Sequence, residues 1–142
     1  MRILALDIGD VWIGVAHTDP TKTIILPFAT WKKIELITKI NKYLSENTIE
    51  EIIIGLPITL NGNFSNQTNK IIEIKADLEK NFNTVRFTLF DERLSSKFAK
   101  NIQISNNLKR NKSKKNKNTE ISEHSIAASI ILEGYLNSKK NS

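Results

Sequence analysis

Three places in the chain carry side chains able to handle a phosphate or a divalent cation. Asp7 directly follows the apolar run Ile3-Leu4-Ala5-Leu6. Asp91, Glu92 and Arg93 follow the apolar stretch from Val85 to Phe90. Lys109, Arg110, Lys112, Lys114, Lys115 and Lys117 crowd a segment almost without apolar residues. Carboxylates are hard oxygen ligands of the kind Mg²⁺ and Mn²⁺ take. A strand that ends on a carboxylate fixes it in place, while the open end of the sheet leaves room for ligands. The second cluster, at another strand tip, gives the sheet a further place where such a ligand is held. The cationic run suits the phosphates themselves. Each feature also has a plainer reading. Asp7 opens a turn, Arg93 is the partner of the acids beside it, Asp91 caps a helix, and the lysines form a solvated face.

Composition sets the frame. The 142 residues suffice for one domain with one real core, and the formal charge of +6 favours a polyanionic partner such as nucleic acid. The absence of cysteine excludes disulfides and thiolate metal sites. No apolar run approaches the roughly 20 residues of a membrane span, and the chain enters its first strand at once, so a cytoplasmic protein without a membrane partner is expected.

The elements that must position the acids alternate in period. Ile3 to Leu6 is a strand buried on both faces, Ile8-Gly9-Asp10 supplies a turn, and Trp12 to Ala16 returns antiparallel, which puts Asp7 at the mouth of a hairpin. Ile24-Ile25-Leu26, closed by Pro27, is a third strand at an edge. From Trp31 to Ser45, Ile34, Ile37, Ile40 and Leu44 fall at helical spacing. Glu50 to Leu56 is a strand parallel to the first, because a helical crossover precedes it. A loop from Gly55 to Asn63 follows, with Asn61 and Gly62 as its turn, at the strand end where open sheets place ligands. Ser65 to Asn81 is a helix with Ile71, Ile74, Leu78 and Phe82 on one face. Val85 to Phe90 is the last strand, and Leu94 to Ile104 a short helix. The Lys- and Asn-dominated stretch 105–118 is expected to be a mobile basic loop within this single domain. Glu120 to Leu136 closes the chain as a helix capped by Thr119 or Ser122, with Ala128, Ile131, Leu132 and Tyr135 toward the core. Asp10 and Asp19 are turn residues.

This is an α/β arrangement in which an antiparallel hairpin edge joins parallel strands in a five-stranded mixed sheet, the ribonuclease H-like pattern. The motifs LALDIGDVWIGVA, IIIGLPITLNG, LFDERLSS and HSIAASIILEGYL, in that order across residues 3–136, narrow it further. Together they resemble the YqgF family, also called RuvX, of Holliday-junction-resolvase-like proteins and pre-16S rRNA nucleases. The first motif is shared with actin-like ATPases and sugar kinases, but those proteins need two such domains and a second phosphate loop.

The resemblance implies a metal-dependent nuclease that matures the 5′ end of small-subunit ribosomal RNA. A resolvase of branched DNA and a nucleic-acid-binding module without catalysis are the alternatives. By motif, Asp7 is the first metal ligand and Glu92 the second. His124 stands where the family has a third, aspartate ligand, and Trp12 where many members have arginine. An imidazole at position 124 shifts the expected cation from Mg²⁺ toward Mn²⁺. Asn61, Arg93 and the cations from Lys109 to Lys117 are the expected substrate contacts.

Overall fold

The computed structural model describes residues 1–59, 61–94 and 122–140. Strands β1 (Arg2–Ile8), β2 (Trp12–Thr18), β3 (Ile25–Lys32), β4 (Ile49–Leu56) and β5 (Arg86–Asp91) form one sheet in the order β3-β2-β1-β4-β5. β2 runs antiparallel to both β1 and β3, whereas β1, β4 and β5 are mutually parallel. The turn after β2 is built on Asp19, whose carboxylate accepts the backbone N–H groups of Thr23 and Ile24, each at 2.7 Å.

The central strands are apolar on both faces because helices cover both. On one face Leu4, Leu6, Val15, Ile52 and Ile54 pack against helix α1 (Leu36–Glu46) and helix α2 (Asn66–Asn81). On the other, Ile3, Ala5, Ala16, Ile53 and Phe90 meet Ala128, Ile131, Leu132 and Tyr135 of helix α3 (Glu123–Lys140). Each fully buried Leu or Ile contributes roughly 1.5–3 kcal/mol relative to exposure, so the sheet is a rigid platform for whatever its strand ends carry. The second face is lined with small residues at its centre, which lets α3 lie close.

Local signals set the helix boundaries. Ser65 caps α2 in a reciprocal box with Thr68, each side chain accepting from the other residue's backbone N–H. Ser122 does the same work at α3: its hydroxyl accepts the N–H of His124 at 3.2 Å, and Ser125 Oγ accepts the N–H of Ser122 at 2.9 Å. The polar pair inside the first core is satisfied as well. His17 Nδ1 lies 2.6 Å from the Tyr43 hydroxyl, and burial, aided by Arg2, pushes the imidazole down to about 4.

Two sequence expectations are corrected. Trp31 belongs to β3, paired with Ile13 and buried with Ala29 at strand period, so the helix starts only at Leu36, after a 3₁₀ turn over Lys33–Glu35. The buried stripe of α1 is therefore Leu36, Ile40 and Tyr43, while Ile34 is 92% exposed and Ile37 47%. Pro27 lies within β3, and the edge position expected for it holds: β3 is an edge strand with a bulge opposite Val15/Ala16. A 3₁₀ turn, Glu92–Leu94, follows β5. The rest of the helix expected to Ile104 and the basic stretch at 105–118 lie outside the described residues.

Candidate active site

Strand register alone brings four positions to one corner. Asp7 is opposite Gly14 across the β1/β2 ladder, and Leu6 is opposite Ile54 across β1/β4, so Gly55 is the next position beside Asp7. Ala5, Ala16 and Ile53 pack on the α3 face; two residues further along, Asp7, Gly14 and Gly55 share that face. Glu92 begins the turn after β5, on the far side of β4.

Glycine makes the corner possible at both flanks. A Cβ on Gly55 would lie 2.7 Å from Glu92 Oε1, so the Glu92 side chain reaches back across the bare backbone of β4 toward β1. Its carboxylate thus comes within about one strand spacing, 4.8 Å, of the Asp7 strand. A Cβ on Gly14 would lie 1.8 Å from the carbonyl oxygen of His124 and 2.9 Å from the Ser125 nitrogen, so the first turn of α3 rests directly on β2. A hydrogen bond between the Thr30 and Ser122 hydroxyls fastens the same turn to β3.

Asp7, Glu92 and His124 are all half-buried. Among the described residues, no hydrogen bond or ion pair holds the Asp7 carboxylate. The two carboxylates are hard oxygen donors on one face, and their chemistry fits Mg²⁺ or Mn²⁺. A third ligand is not assembled with them: among the described residues no group of three or more His, Cys, Asp or Glu stands close enough to hold a metal ion. His124 reaches the corner with its backbone, against Gly14.

Arg93 pairs with Asp91. Its Nε and Nη2 donate to Asp91 Oδ2 at 3.0 and 2.7 Å, and Asp91 Oδ1 accepts its backbone N–H at 2.9 Å. The Arg93 hydrogen bonds hold the Asp91 carboxyl below its ordinary range. The remaining arm, Nη1, donates to the Thr59 carbonyl at 3.4 Å and so ties the β5 tip to the loop after β4. Asn61 sits inside that loop, where its Oδ1 accepts the Thr59 hydroxyl at 2.5 Å beside Gly62 at φ 85°. Lys109, Arg110, Lys112, Lys114, Lys115 and Lys117 lie outside the described residues.

Sequence reading passed over Gly14 and Gly55. The available signal was a glycine inside an otherwise apolar strand, which marks a close approach of other atoms to the backbone.

The strand order, the mixed pairing and the acids at the tips of β1 and β5 define a ribonuclease H-like domain. The chain matches the model of the RuvX Holliday junction resolvase family over residues 1–138, and it belongs to that family. A "Putative pre-16S rRNA nuclease" of Malacoplasma penetrans is 41% identical, over 98% of this chain and 96% of its own. Proteins of the same name from Fusobacterium nucleatum and Caldanaerobacter subterraneus are 37% and 33% identical, covering 98% and 100% of this chain and 99% and 100% of theirs. Among solved structures, a "putative sugar kinase" from Cytophaga hutchinsonii aligns over 65% of this chain and 36% of its own, with 16% identity and a TM-score of 0.43.

Proposed function

We propose that this chain is a phosphodiester hydrolase that trims the precursor of small-subunit ribosomal RNA in the cytoplasm, with Asp7 and Glu92 as its catalytic acids. The observation that carries the reading is the corner itself: a strand-tip carboxylate and a second one laid toward it across the bare backbone of Gly55. The relatives named as pre-16S rRNA nucleases point to the substrate.

Asp7 and Glu92 would hold a divalent cation, which when bound activates water and neutralises the leaving oxygen. The protein's own part is placement. β1 fixes Asp7, Gly55 leaves the path by which Glu92 reaches it, and the Asp91–Arg93 pair holds the turn from which Glu92 projects. His124 touches the corner through its backbone and is not grouped with the two acids among the described residues, so the carboxylate pair suits Mg²⁺ and Mn²⁺ alike.

Purified protein offered a ribosomal precursor RNA and a four-way DNA junction, each with Mg²⁺ or Mn²⁺, tests this. Cleavage of the RNA is expected with either ion. Asp7→Asn and Glu92→Gln should each lower turnover more than about a hundredfold, because a metal-ligating charge worth several kcal/mol of barrier is deleted without a change of shape. Near wild-type turnover in either variant would remove that acid from the mechanism. Cleavage of the junction alone would move the substrate to branched DNA.

A further inference from the structure

We propose that Trp12 and Lys32 form a stacking subsite for one unpaired base of a single-stranded nucleic acid, immediately beyond the acidic corner; the inference rests on the nuclease reading above and specifies the substrate's form. Trp12 opens β2, two residues before Gly14 and on the same face as Gly14 and Ala16. Asp7 is opposite Gly14. Two residues of strand and one strand spacing put the Trp12 and Asp7 backbones about 8 Å apart, a separation that lets a base rest on the indole while its neighbouring phosphate lies at the carboxylates.

The ring is available and rigidly mounted. Trp12 is 41% exposed, whereas the other tryptophan, Trp31, is 6% exposed in the core. The Gly9 N–H donates to the Trp12 carbonyl at 2.9 Å, and the Lys33 N–H donates to the Val11 carbonyl at 2.8 Å, so β1 and the end of β3 both pin the turn that presents it. Gly9 is required there, since a Cβ would lie 2.8 Å from the Trp12 oxygen. Lys32 is opposite Trp12 in the β2/β3 ladder, exposed, with its ammonium 6.0 Å from the ring centroid.

Lys32 lies over one face of the indole, so a base would stack on the other face or displace the ammonium toward its phosphate; an exposed aromatic ring with such a cation is the unit by which single strands are held. A duplex hides its base faces and cannot use it. An apolar protein partner would leave Lys32 with no counter-charge, whereas a nucleotide satisfies both groups.

The test reads affinity by the anisotropy of end-labelled RNA and stacking by tryptophan fluorescence, with EDTA present to suppress cleavage. Wild type is titrated with a uridine-rich single-stranded RNA, the same oligomer carrying abasic residues, and a blunt RNA duplex. The base-bearing strand should quench the exposed tryptophan and bind more tightly than the other two. Trp12→Ala should weaken its binding roughly 5- to 150-fold and abolish its advantage over the abasic strand, while Trp12→Phe keeps most of both. Lys32→Ala should reduce the log–log salt slope by about 0.7. Because Trp12 is exposed, unchanged thermal midpoints in these variants exclude misfolding as the cause. Unchanged affinity in Trp12→Ala, equal quenching by the abasic strand, or preference for the duplex overturns the subsite and leaves the nuclease reading standing. A wild type without affinity for any of the three RNAs overturns both.

Discussion

The interface between α3 and the sheet ends in a carboxylate at each extreme, and the two have opposite surroundings. At the tip end, Asp7 is half-buried with no hydrogen bond or ion pair among the described residues. At the base end, Glu51 is 1% exposed and surrounded. Tyr135 donates its hydroxyl to both carboxylate oxygens at 2.9 and 2.8 Å, Thr88 donates at 2.5 Å, and Arg86 Nη2 and Lys139 Nζ lie at 3.1 and 3.6 Å. Burial raises the Glu51 carboxyl, but the hydrogen bonds from Thr88, Tyr135 and Arg86 together outweigh it and leave the group below its usual range. The same side-chain chemistry on the same face thus divides by partners: Glu51 fastens the helix to the sheet, and the Asp7 carboxylate has no protein partner among the described residues.

That contrast can be broken from either end. The largest effect belongs to Gly14→Ala, whose Cβ would meet the backbone of His124 and Ser125 and could be relieved only by moving α3 off β2. Denaturant unfolding should show a loss of about 3 kcal/mol. Glu51→Gln comes next, with an expected loss of about 1–2 kcal/mol near neutral pH and turnover unchanged, the reverse of Asp7→Asn. The pH dependence carries the sign. A carboxyl whose folded pKa is depressed contributes stability that is present above its unfolded value of 4.5 and is lost as pH falls through the lower folded value, so the acid limb of stability should flatten in Glu51→Gln. Gly55→Ala should be the mildest for stability, about 1 kcal/mol, because its Cβ meets side-chain atoms of Glu92 and of the buried Ile131 where that of Gly14→Ala meets backbone. Nuclease turnover should nevertheless fall with it, as Glu92 is pushed from its path toward Asp7. Equal losses of stability in Gly14→Ala and Gly55→Ala would erase the distinction between a helix seat and a site.

The sheet was legible because its strands are short and uninterrupted: Ile3 to Leu6 and Ile52 to Leu56 have no polar residue to suggest another period, and each ends on chemistry. The face of α3 was legible because Ala128, Ile131, Leu132 and Tyr135 recur at helical spacing and are all buried. The start of α1 was not, since Trp31 through Leu44 contains apolar residues that satisfy a helical stripe in more than one phase, and only pairing of Trp31 with Ile13 selects strand. Glu51 was equally hidden. In sequence it is one of two acids opening a strand, and what makes it structural is a tyrosine 84 residues away. The corner shows the same limit: Asp7 announces itself at a strand tip, but the two glycines that admit Glu92 and α3 to its sides gain meaning only once the strands are in register.

The long reach of these contacts has a consequence for how the molecule is made. Thr30 bonds to Ser122 across 92 residues and Glu51 to Tyr135 across 84, so the contacts of α3 with the face of the amino-terminal strands that carries Asp7 form only after residues 122–140 have left the ribosome. At synthesis rates of roughly 5–20 residues per second, that is a delay of several seconds during which α1 can already shield the opposite face. A nascent chain therefore forms the α1 side of the sheet early and gains the α3 side late.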